Sequence, residues 1–203
     1  MFTGIIHHQG IFRGYRHGKQ GMILEAPPSF AVPPVGESIS VNGVCLSLVG
    51  AEKGFLFFEL SRETLAKTNL GSLQSGERVN LELPLTLESL LSGHLITGHI
   101  DGVGRVVRIA VRKPGWRVTL AFPRQLRPFL VPKGSIAVNG VSLTVAELGA
   151  SSFEVELIPL TLQKSNLASL KPGQKVNLEC DILGKYVYNW MSKTGEAWKE
   201  RKT

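Results

Sequence analysis

The chain contains few cysteines and no long apolar segment, and both shortages narrow the classes of protein to which it can belong. Cys45 and Cys180 are its only cysteines, and their wide separation offers neither the paired spacing of a zinc site nor a disulfide framework. No stretch approaches the roughly 20 apolar residues that span a bilayer, and no basic region precedes a long apolar one at the amino terminus. We therefore expect a cytoplasmic protein with reduced thiols and no association with membranes.

Aromatic residues are also scarce, at 7% of the chain, and the basic residues are dispersed along it. The net charge of +7 raises the question of a nucleic-acid partner, but a nucleic-acid-binding surface needs basic and aromatic side chains gathered on one face. The densest basic runs, at residues 105–113 and 199–202, fit an ordinary solvated surface. No nucleic-acid partner is expected, while the charge leaves anionic small molecules open.

The sequence contains an internal repeat. Residues 38–48 (SISVNGVCLSL) return as residues 135–145 (SIAVNGVSLTV), a shift of 97 positions, and the same shift places residues 79–82 on residues 176–179. The starts of the two halves correspond at a shift of 94, and the boundary falls near residues 86–95. A repeat of this kind can be purely structural, because stacked copies extend a core.

Each half of the repeat has the pattern of β structure. An Asn-Gly dipeptide at residues 42–43, and again at residues 139–140, lies between two apolar runs and tolerates the positive φ angles of a tight hairpin. Further short apolar runs end at Gly, Pro or Ser, which favours small closed barrels over parallel α/β units. The end of the chain differs, because apolar residues recur at helical spacing from Leu183 to about Lys199. This helix either docks on the protein's own surface or mediates self-association.

Two histidines lie in the glycine-rich stretch at residues 93–104, where backbone and imidazole can approach a ligand closely. The spacing of His94 and His99 does not match the helical pair of a metalloprotease, and no carboxylate or thiol cluster accompanies them, so no metal is expected. The stretch is not a dinucleotide fingerprint either, since it does not open a helix in a βαβ unit.

The two halves share one sequence pattern but carry different reactive groups at equivalent positions. Cys45 and Ser142 occupy the same place in the repeat, while Lys133 and Asp181 stand where the first half has a glycine and a proline. Such differences are expected if two pockets bind the same molecule and give it different roles. Drift in one copy is the alternative, and Cys45 on spacing alone reads as a small buried hydrophobe.

Several motifs together resemble the riboflavin synthase family: the start MFTGII, the two SIxVNGV[C/S]L[S/T] segments, GHLxxGH at residues 93–99, and ETL with TNLG at residues 63–71. The resemblance runs from residue 1 to about residue 182. It implies an all-β fold of two tandem six-stranded Greek-key β-barrels, at residues 1–93 and 94–182. A carboxy-terminal α-helix at residues 183–203 would hold a homotrimer.

The resemblance also implies an activity, the dismutation of two molecules of 6,7-dimethyl-8-ribityllumazine into riboflavin and 5-amino-6-ribitylamino-uracil, without metal or organic cofactor. The electron-poor ring acidifies the C7 methyl group of the substrate, so the protein must bind, orient and move protons. His99 is the expected acid–base group, with His94 supporting it. The family's other catalytic polar residues match Cys45, Ser142, Lys133 and Asp181, and the nucleophile stays open.

The resemblance further implies two lumazine pockets, formed in the family between the amino-terminal barrel of one subunit and the carboxy-terminal barrel of its neighbour. The first pocket is expected to comprise Gly4, Ile5, Ile6, Cys45, Leu46, Ser47, Ser61, Arg62, Glu63, Thr64, Leu65 and Ala66. The second is expected to comprise Gly98, His99, Ile100, Lys133, Ser142, Leu143, Thr144, Ile158, Pro159, Leu160, Thr161, Leu162 and Gln163. An association with lumazine synthase is a further partner to consider.

The sequence departs from the family pattern at few positions. His7 and His8 stand where many members have acidic residues, and Ser47 replaces the more usual threonine; neither change removes an expected catalytic group. The nearest alternative is a non-enzymatic lumazine-binding protein, in which the second pocket should be degraded. A flavin-binding barrel of an oxidoreductase should adjoin a nucleotide domain, and a nucleic-acid-binding barrel should expose aromatic platforms.

Overall fold

The computed structural model contains two antiparallel β-barrels in tandem and a carboxy-terminal helix. It describes the backbone of residues 1–200 and the side chains of residues 1–193. The strands of the first barrel are β1 (His8–Arg16), β2 (Gly21–Glu25), β3 (Ser38–Val41), β4 (Val44–Glu52), β5 (Phe55–Glu59) and β6 (Arg78–Glu82). They close in the order β1-β2-β5-β4-β3-β6, and α1 (Arg62–Lys67) follows β5.

The second barrel repeats this topology. Its strands are β7 (Gly102–Arg112), β8 (Gly115–Ala121), β9 (Ser135–Val138), β10 (Val141–Leu148), β11 (Ser152–Leu157) and β12 (Lys175–Cys180), and α2 (Pro159–Lys164) follows β11. The ring order β10-β11-β8-β7-β12-β9 is the order of the first barrel, strand for strand. In the first barrel β3, β4 and β5 are joined by hairpins, and a longer connection then returns the chain so that β6 lies beside β3. This arrangement is a Greek key, and β9, β10, β11 and β12 repeat it in the second barrel. The predicted pair of six-stranded barrels is confirmed.

Alternation along the strands separates a core face from an outer face in each barrel. On β4, Val44, Leu46 and Leu48 point into the first core, while Cys45 and Ser47 lie on the outer face. On β10 the same alternation directs Val141, Leu143 and Val145 inward and leaves Ser142 and Thr144 outside. Each fully buried aliphatic side chain contributes about 1.5–3 kcal/mol. The differing pairs Cys45/Ser142 and Ser47/Thr144 therefore lie on the outer faces, where their side chains do not enter either core.

The two Asn-Gly turns meet at the pseudo-two-fold axis between the barrels. Asn42 and Asn139 each have φ of 47°, as the hairpin prediction requires, and a Cβ on Gly43 would lie 2.7 Å from the Gly140 nitrogen. Around them six buried asparagines hydrogen-bond across the axis, in two equivalent sets of three: Asn42, Asn69 and Asn80, with Asn139, Asn166 and Asn177. This network fixes one orientation of the barrels.

Helix α3 (Ile182–Glu200) is anchored to the second barrel by its first turn. The carboxylate of Asp181 accepts a hydrogen bond from the Leu183 nitrogen at 3.0 Å, and Lys185 Nζ lies 2.6 Å from Asp101 Oδ2. The ring of Tyr188 packs edge-on against Phe129. The apolar side chains of the predicted helical stripe nevertheless stay exposed: Leu183, Tyr186, Val187, Trp190 and Met191.

The predicted helical segment extends to residue 203, and residues 201–203 lie outside the described residues, as do the side chains of the basic tail at 199–202. Over the part of the chain that is described, no helix combines the length and apolar character needed to cross a membrane.

Candidate functional site

Two short extended segments lie between the barrels and connect them. We call residues 2–6 the amino-terminal strap and residues 96–100 the middle strap. They pair antiparallel, with the Phe2 nitrogen 2.8 Å from the Ile96 oxygen and the Ile96 nitrogen 3.1 Å from the Phe2 oxygen. Because the straps occupy equivalent places in the repeat, they are related by the same pseudo-two-fold axis as the barrels.

Each strap completes the outer face of the opposite barrel. The Ser142 nitrogen donates to the Gly4 oxygen at 2.9 Å, and the Cys45 nitrogen donates to the Gly98 oxygen at 3.0 Å. Ile6 is buried in the core of the second barrel, and Ile100 packs against the core of the first. In the structure the amino-terminal strap thus lies beside Ser142 and the middle strap beside Cys45, an arrangement exchanged between the halves relative to the expected grouping; which residues line each pocket stays a prediction.

Glycine is required where each strap touches its barrel. Gly4 has φ of +78°, and a Cβ there would lie 2.6 Å from the Ser142 nitrogen. Gly98 has φ of +84°, and its Cβ would lie 2.8 Å from the Cys45 nitrogen. Both the left-handed backbone and the close approach exclude a side chain. The two glycines of the Thr-Gly dipeptides thus set the distance between strap and barrel.

The half-site on the second barrel, which we call the Ser142 half-site, combines Ser142, the amino-terminal strap and His94. His94 Nδ1 lies 2.7 Å from Ser142 Oγ, and the imidazole is only 8% exposed. Its Nε2 is buried without a hydrogen-bond partner among the described residues. Burial lowers the pKa of His94 below its usual 6.5, opposed by the charge of Asp181. The imidazole is therefore neutral near pH 7 and can accept a proton.

The half-site on the first barrel, the Cys45 half-site, combines Cys45, Ser47 and the middle strap. Cys45 is partly buried on the outer face of β4, where it packs against Phe2, Ile96 and Ala137 and keeps part of its surface exposed. Cys180 is the buried thiol, and burial raises its pKa to about 12. His99 on the middle strap is exposed, and its backbone nitrogen donates to Thr97 Oγ1 at 3.3 Å. The two half-sites thus offer different groups: a thiol with an exposed imidazole, and a hydroxyl with a buried one.

The short helices flank the half-sites because they start where neighbouring strands end. β4 pairs Leu48 with Phe58, and β10 pairs Val145 with Val155, so α1 and α2 begin on the side of each barrel that carries the half-site. Ser61 caps α1 by accepting a hydrogen bond from the Thr64 nitrogen at 3.0 Å. The predicted pocket residues on these segments are mostly exposed: Ser61, Arg62, Glu63, Thr64, Leu65 and Ala66, with Ile158, Pro159, Leu160, Thr161, Leu162 and Gln163.

Lys133 and Asp181 have identifiable structural positions. Lys133 has φ of 64° and donates from its nitrogen to the Val145 oxygen at 2.8 Å, the same turn that Gly36 makes with Leu48. Its side chain is exposed and forms no hydrogen bond with His94 or Ser142 in the described part of the chain. Asp181 caps α3 and acts on His94 through its charge. Of the predicted catalytic residues, His94 and Ser142 are joined by a side-chain hydrogen bond.

Two glutamates near the straps were not anticipated from the sequence. Glu82 and Glu179 are buried at the ends of the last strand of each barrel, and each carboxylate accepts hydrogen bonds from one strap. Burial raises the pKa of both carboxyls, and the hydrogen bonds from the straps oppose this effect. The repeated VNLE segment was the available signal, because it ends an apolar strand with a carboxylate in both halves. Among the described residues no three potential ligands cluster around a metal position.

Comparison with known proteins adds to this geometry. The lumazine binding domain model matches residues 3–84 and 97–181. The riboflavin synthase of Mycobacterium tuberculosis (strain ATCC 25618 / H37Rv) is 40% identical over 205 residues, which cover 96% of this chain and 100% of the relative. That of Bacillus subtilis (strain 168) is 35% identical over 198 residues, covering 97% and 92%.

Solved structures of lumazine-binding and flavin-binding proteins are also similar to this chain. The crystal structure of LumP complexed with riboflavin superposes with a TM-score of 0.80 and 25% identity, covering 89% of this chain and 99% of that one. LumP complexed with 6,7-dimethyl-8-(1'-D-ribityl) lumazine gives 0.77 and 26%, covering 88% and 98%. The two matched domains and the near-complete coverage of the relatives lead to one conclusion: the chain belongs to the riboflavin synthase family, built on a duplicated lumazine binding domain.

Proposed function

We propose that this chain is a riboflavin synthase, a transferase that converts two molecules of 6,7-dimethyl-8-ribityllumazine into riboflavin and 5-amino-6-ribitylamino-uracil. The observation that carries the proposal is the pair of half-sites, which have the same backbone arrangement of strap and strand but present different reactive groups. A dismutation requires this, because one substrate gives up a four-carbon unit and the other receives it. The two products together contain all the atoms of the two substrates, so the reaction needs no oxidant and no cofactor.

Each half-site is proposed to bind one lumazine. Strap backbone groups and nearby hydroxyls suit the edge of a pyrimidinedione, a neutral heterocycle with both donors and acceptors. The exposed segments at residues 61–66 and 158–163 would close the outer side of each pocket. Holding two substrates in fixed relation supplies much of the rate, since effective molarities of about 10⁵ M or more are reached in well-oriented pairs.

Proton transfer is assigned to the two histidines. A neutral His94 is suited to take a proton from the C7 methyl group through the Ser142 hydroxyl, which its Nδ1 meets at 2.7 Å, and the electron-poor ring stabilises the resulting carbanion. His99, exposed on the middle strap, is proposed to serve the substrate at the Cys45 half-site. Cys45 and Ser142 are the candidates for addition to ring carbon 7, with Lys133 and Asp181 as charged groups around the second substrate.

The assembly proposed is a homotrimer held by α3, where Leu183, Tyr186 and Val187 expose apolar side chains that a neighbouring subunit would cover. In that arrangement the Cys45 half-site of one subunit faces the Ser142 half-site of its neighbour. We assign residues 1–93 and 94–182 to the two barrel domains and residues 183–203 to the trimerisation helix. A cytoplasmic location and an association with lumazine synthase complete the proposal.

The test is turnover. The purified protein, without added metal, is incubated with 6,7-dimethyl-8-ribityllumazine, and riboflavin is followed by absorbance. We expect turnover by the wild type and a loss of about 10²-fold or more in His94→Gln and His99→Gln, the range general acid–base groups supply. His17→Gln, which changes an exposed histidine outside both half-sites, is the control. Tight chromophore binding without turnover would instead identify a non-enzymatic lumazine-binding protein.

A further inference from the structure

The two buried glutamates at the barrel edges contact the straps in the same way. Glu82 Oε1 accepts from the Thr3 nitrogen at 2.7 Å and from Thr3 Oγ1 at 2.7 Å, and its Oε2 accepts from the Gly4 nitrogen at 3.0 Å. Glu179 Oε1 accepts from the Thr97 nitrogen and Oγ1, both at 2.7 Å, and its Oε2 accepts from the Gly98 nitrogen at 3.0 Å. Both carboxylates therefore use both oxygens on one Thr-Gly dipeptide.

These contacts join a barrel edge to the half-site on the other barrel. Glu82 belongs to β6 of the first barrel, but the Gly4 that it binds accepts from Ser142 on the second barrel. Glu179 belongs to β12, and the Gly98 that it binds accepts from Cys45 on the first barrel. Each carboxylate is thus two hydrogen bonds away from the reactive outer face that its strap completes.

Burying an ionised carboxylate costs free energy unless hydrogen-bond donors surround it, and for these two glutamates the straps supply the donors. Glu82 is 9% exposed and Glu179 is 1% exposed, and neither forms a salt bridge among the described residues. A buried carboxylate without a salt bridge is tolerated when several donors surround it, and the charges of His7 near Glu82 and Lys185 near Glu179 also lower the pKa of these carboxyls. The strap donors meet this requirement, so a strap in any other position would leave the charge without them.

We infer that Glu82 and Glu179 are positioning residues of the reaction, each fixing the strap of the half-site on the opposite barrel: Glu82 the Ser142 half-site and Glu179 the Cys45 half-site. The inference rests on the proposed function for its catalytic meaning. Its structural content, the selective control of one strap by one carboxylate, is independent of that function.

The first experiment measures the straps directly. Backbone amide hydrogen exchange of the ligand-free protein is followed in the peptides that contain residues 3–4 and 97–98. Glu82→Gln keeps the shape but replaces one acceptor oxygen with an amino group. We expect at least tenfold faster exchange at residues 3–4 and no change at residues 97–98, and the reverse for Glu179→Gln. Glu77→Gln is the matched control, because the Glu77 carboxyl makes no hydrogen bond in the described residues.

The second experiment measures binding and turnover. Lumazine-induced protection from exchange is monitored at residues 142–144 and 45–47, and KM and kcat are measured over a range of pH. We expect Glu82→Gln to weaken protection at residues 142–144 by about tenfold to a hundredfold, the usual effect of losing a hydrogen bond to a charged group. Protection at residues 45–47 should stay within about twofold. Glu179→Gln should give the opposite pattern.

A milder pair of variants keeps the inference testable if the glutamine variants fail to fold. Thr3→Val and Thr97→Val each remove one hydroxyl, which donates to the carboxylate and accepts from the Ile5 or His99 nitrogen of the same strap. Both variants leave the carboxylate and its two backbone donors in place, so the same selective pattern should follow with a smaller magnitude. Equal effects of each variant on both straps would overturn the inference, as would unchanged protection in the half-site that it names. If the wild type does not bind lumazine, the proposed function fails, and the exchange experiment still decides whether each carboxylate controls one strap.

Discussion

Replacing Gly98 by alanine separates two physical demands on the middle strap. Alanine at φ of +84° costs about 1–2 kcal/mol because the left-handed conformation is unfavourable for a residue with a Cβ. The new methyl would also meet the Cys45 nitrogen at 2.8 Å, and overpacking of this kind costs about 1–3 kcal/mol. We expect Gly98→Ala to lower the free energy of unfolding by about 2–5 kcal/mol in total.

Gly173 provides the matched control. Its φ of +88° is nearly the same, but a Cβ there would have no heavy atom within 4 Å. Gly173→Ala should therefore lose only the backbone part, about 1–2 kcal/mol. Urea unfolding of both variants and the wild type, extrapolated linearly to zero denaturant, gives the comparison. Equal losses in the two variants would refute the close approach of the middle strap to Cys45.

Three further perturbations test other parts of the structure. Because burial lowers the pKa of His94, the unfolded chain binds more protons below about pH 6.5, so stability should fall as pH drops through that range, by at most about 1.4 kcal/mol per pH unit. Urea unfolding between about pH 5 and 7.5 should show a shallower fall for His94→Gln, and an unchanged slope would contradict the assignment. Lys185→Met leaves Asp101 without its cation and should speed hydrogen exchange in the first turn of α3, whereas the exposed Lys193→Met should not. Asn177→Ala at the barrel interface should cost about 1–3 kcal/mol by leaving buried groups unpaired, measured by thermal unfolding against the exposed Asn189→Ala.

The sequence was sufficient for the architecture because the relevant signals are local or periodic. The 97-residue shift required two copies of one fold, and the Asn-Gly dipeptides located a hairpin in each copy with the expected positive φ. The outer-face positions of Cys45 and Ser142 on β4 and β10 are a finding of the structure, since the spacing alone favours a small buried side chain at Cys45. Helical spacing located α3, although it begins one residue earlier than predicted because Asp181 caps its first turn.

The arrangement of the half-sites could not be read in the same way, because it depends on contacts between residues far apart in sequence. Nothing in the amino-terminal strap itself indicates that Gly4 binds beside Ser142 rather than beside Cys45, since both partners occupy equivalent places in the repeat. A duplicated chain always allows two such pairings, one within each half and one exchanged between them. Local sequence is nearly identical for both, so only the three-dimensional structure distinguishes them.

The exchange of straps has a physical consequence for how the two half-sites depend on one another. If each strap stayed on its own barrel, a substitution in the first half would affect only the first pocket. In the exchanged arrangement each half-site contains a strap from one half and a strand from the other, and the straps are paired to each other through Phe2 and Ile96. A substitution in one half, such as Glu82→Gln, should therefore change the half-site on the opposite barrel, and in the proposed trimer this half-site faces the Cys45 half-site of a neighbouring subunit.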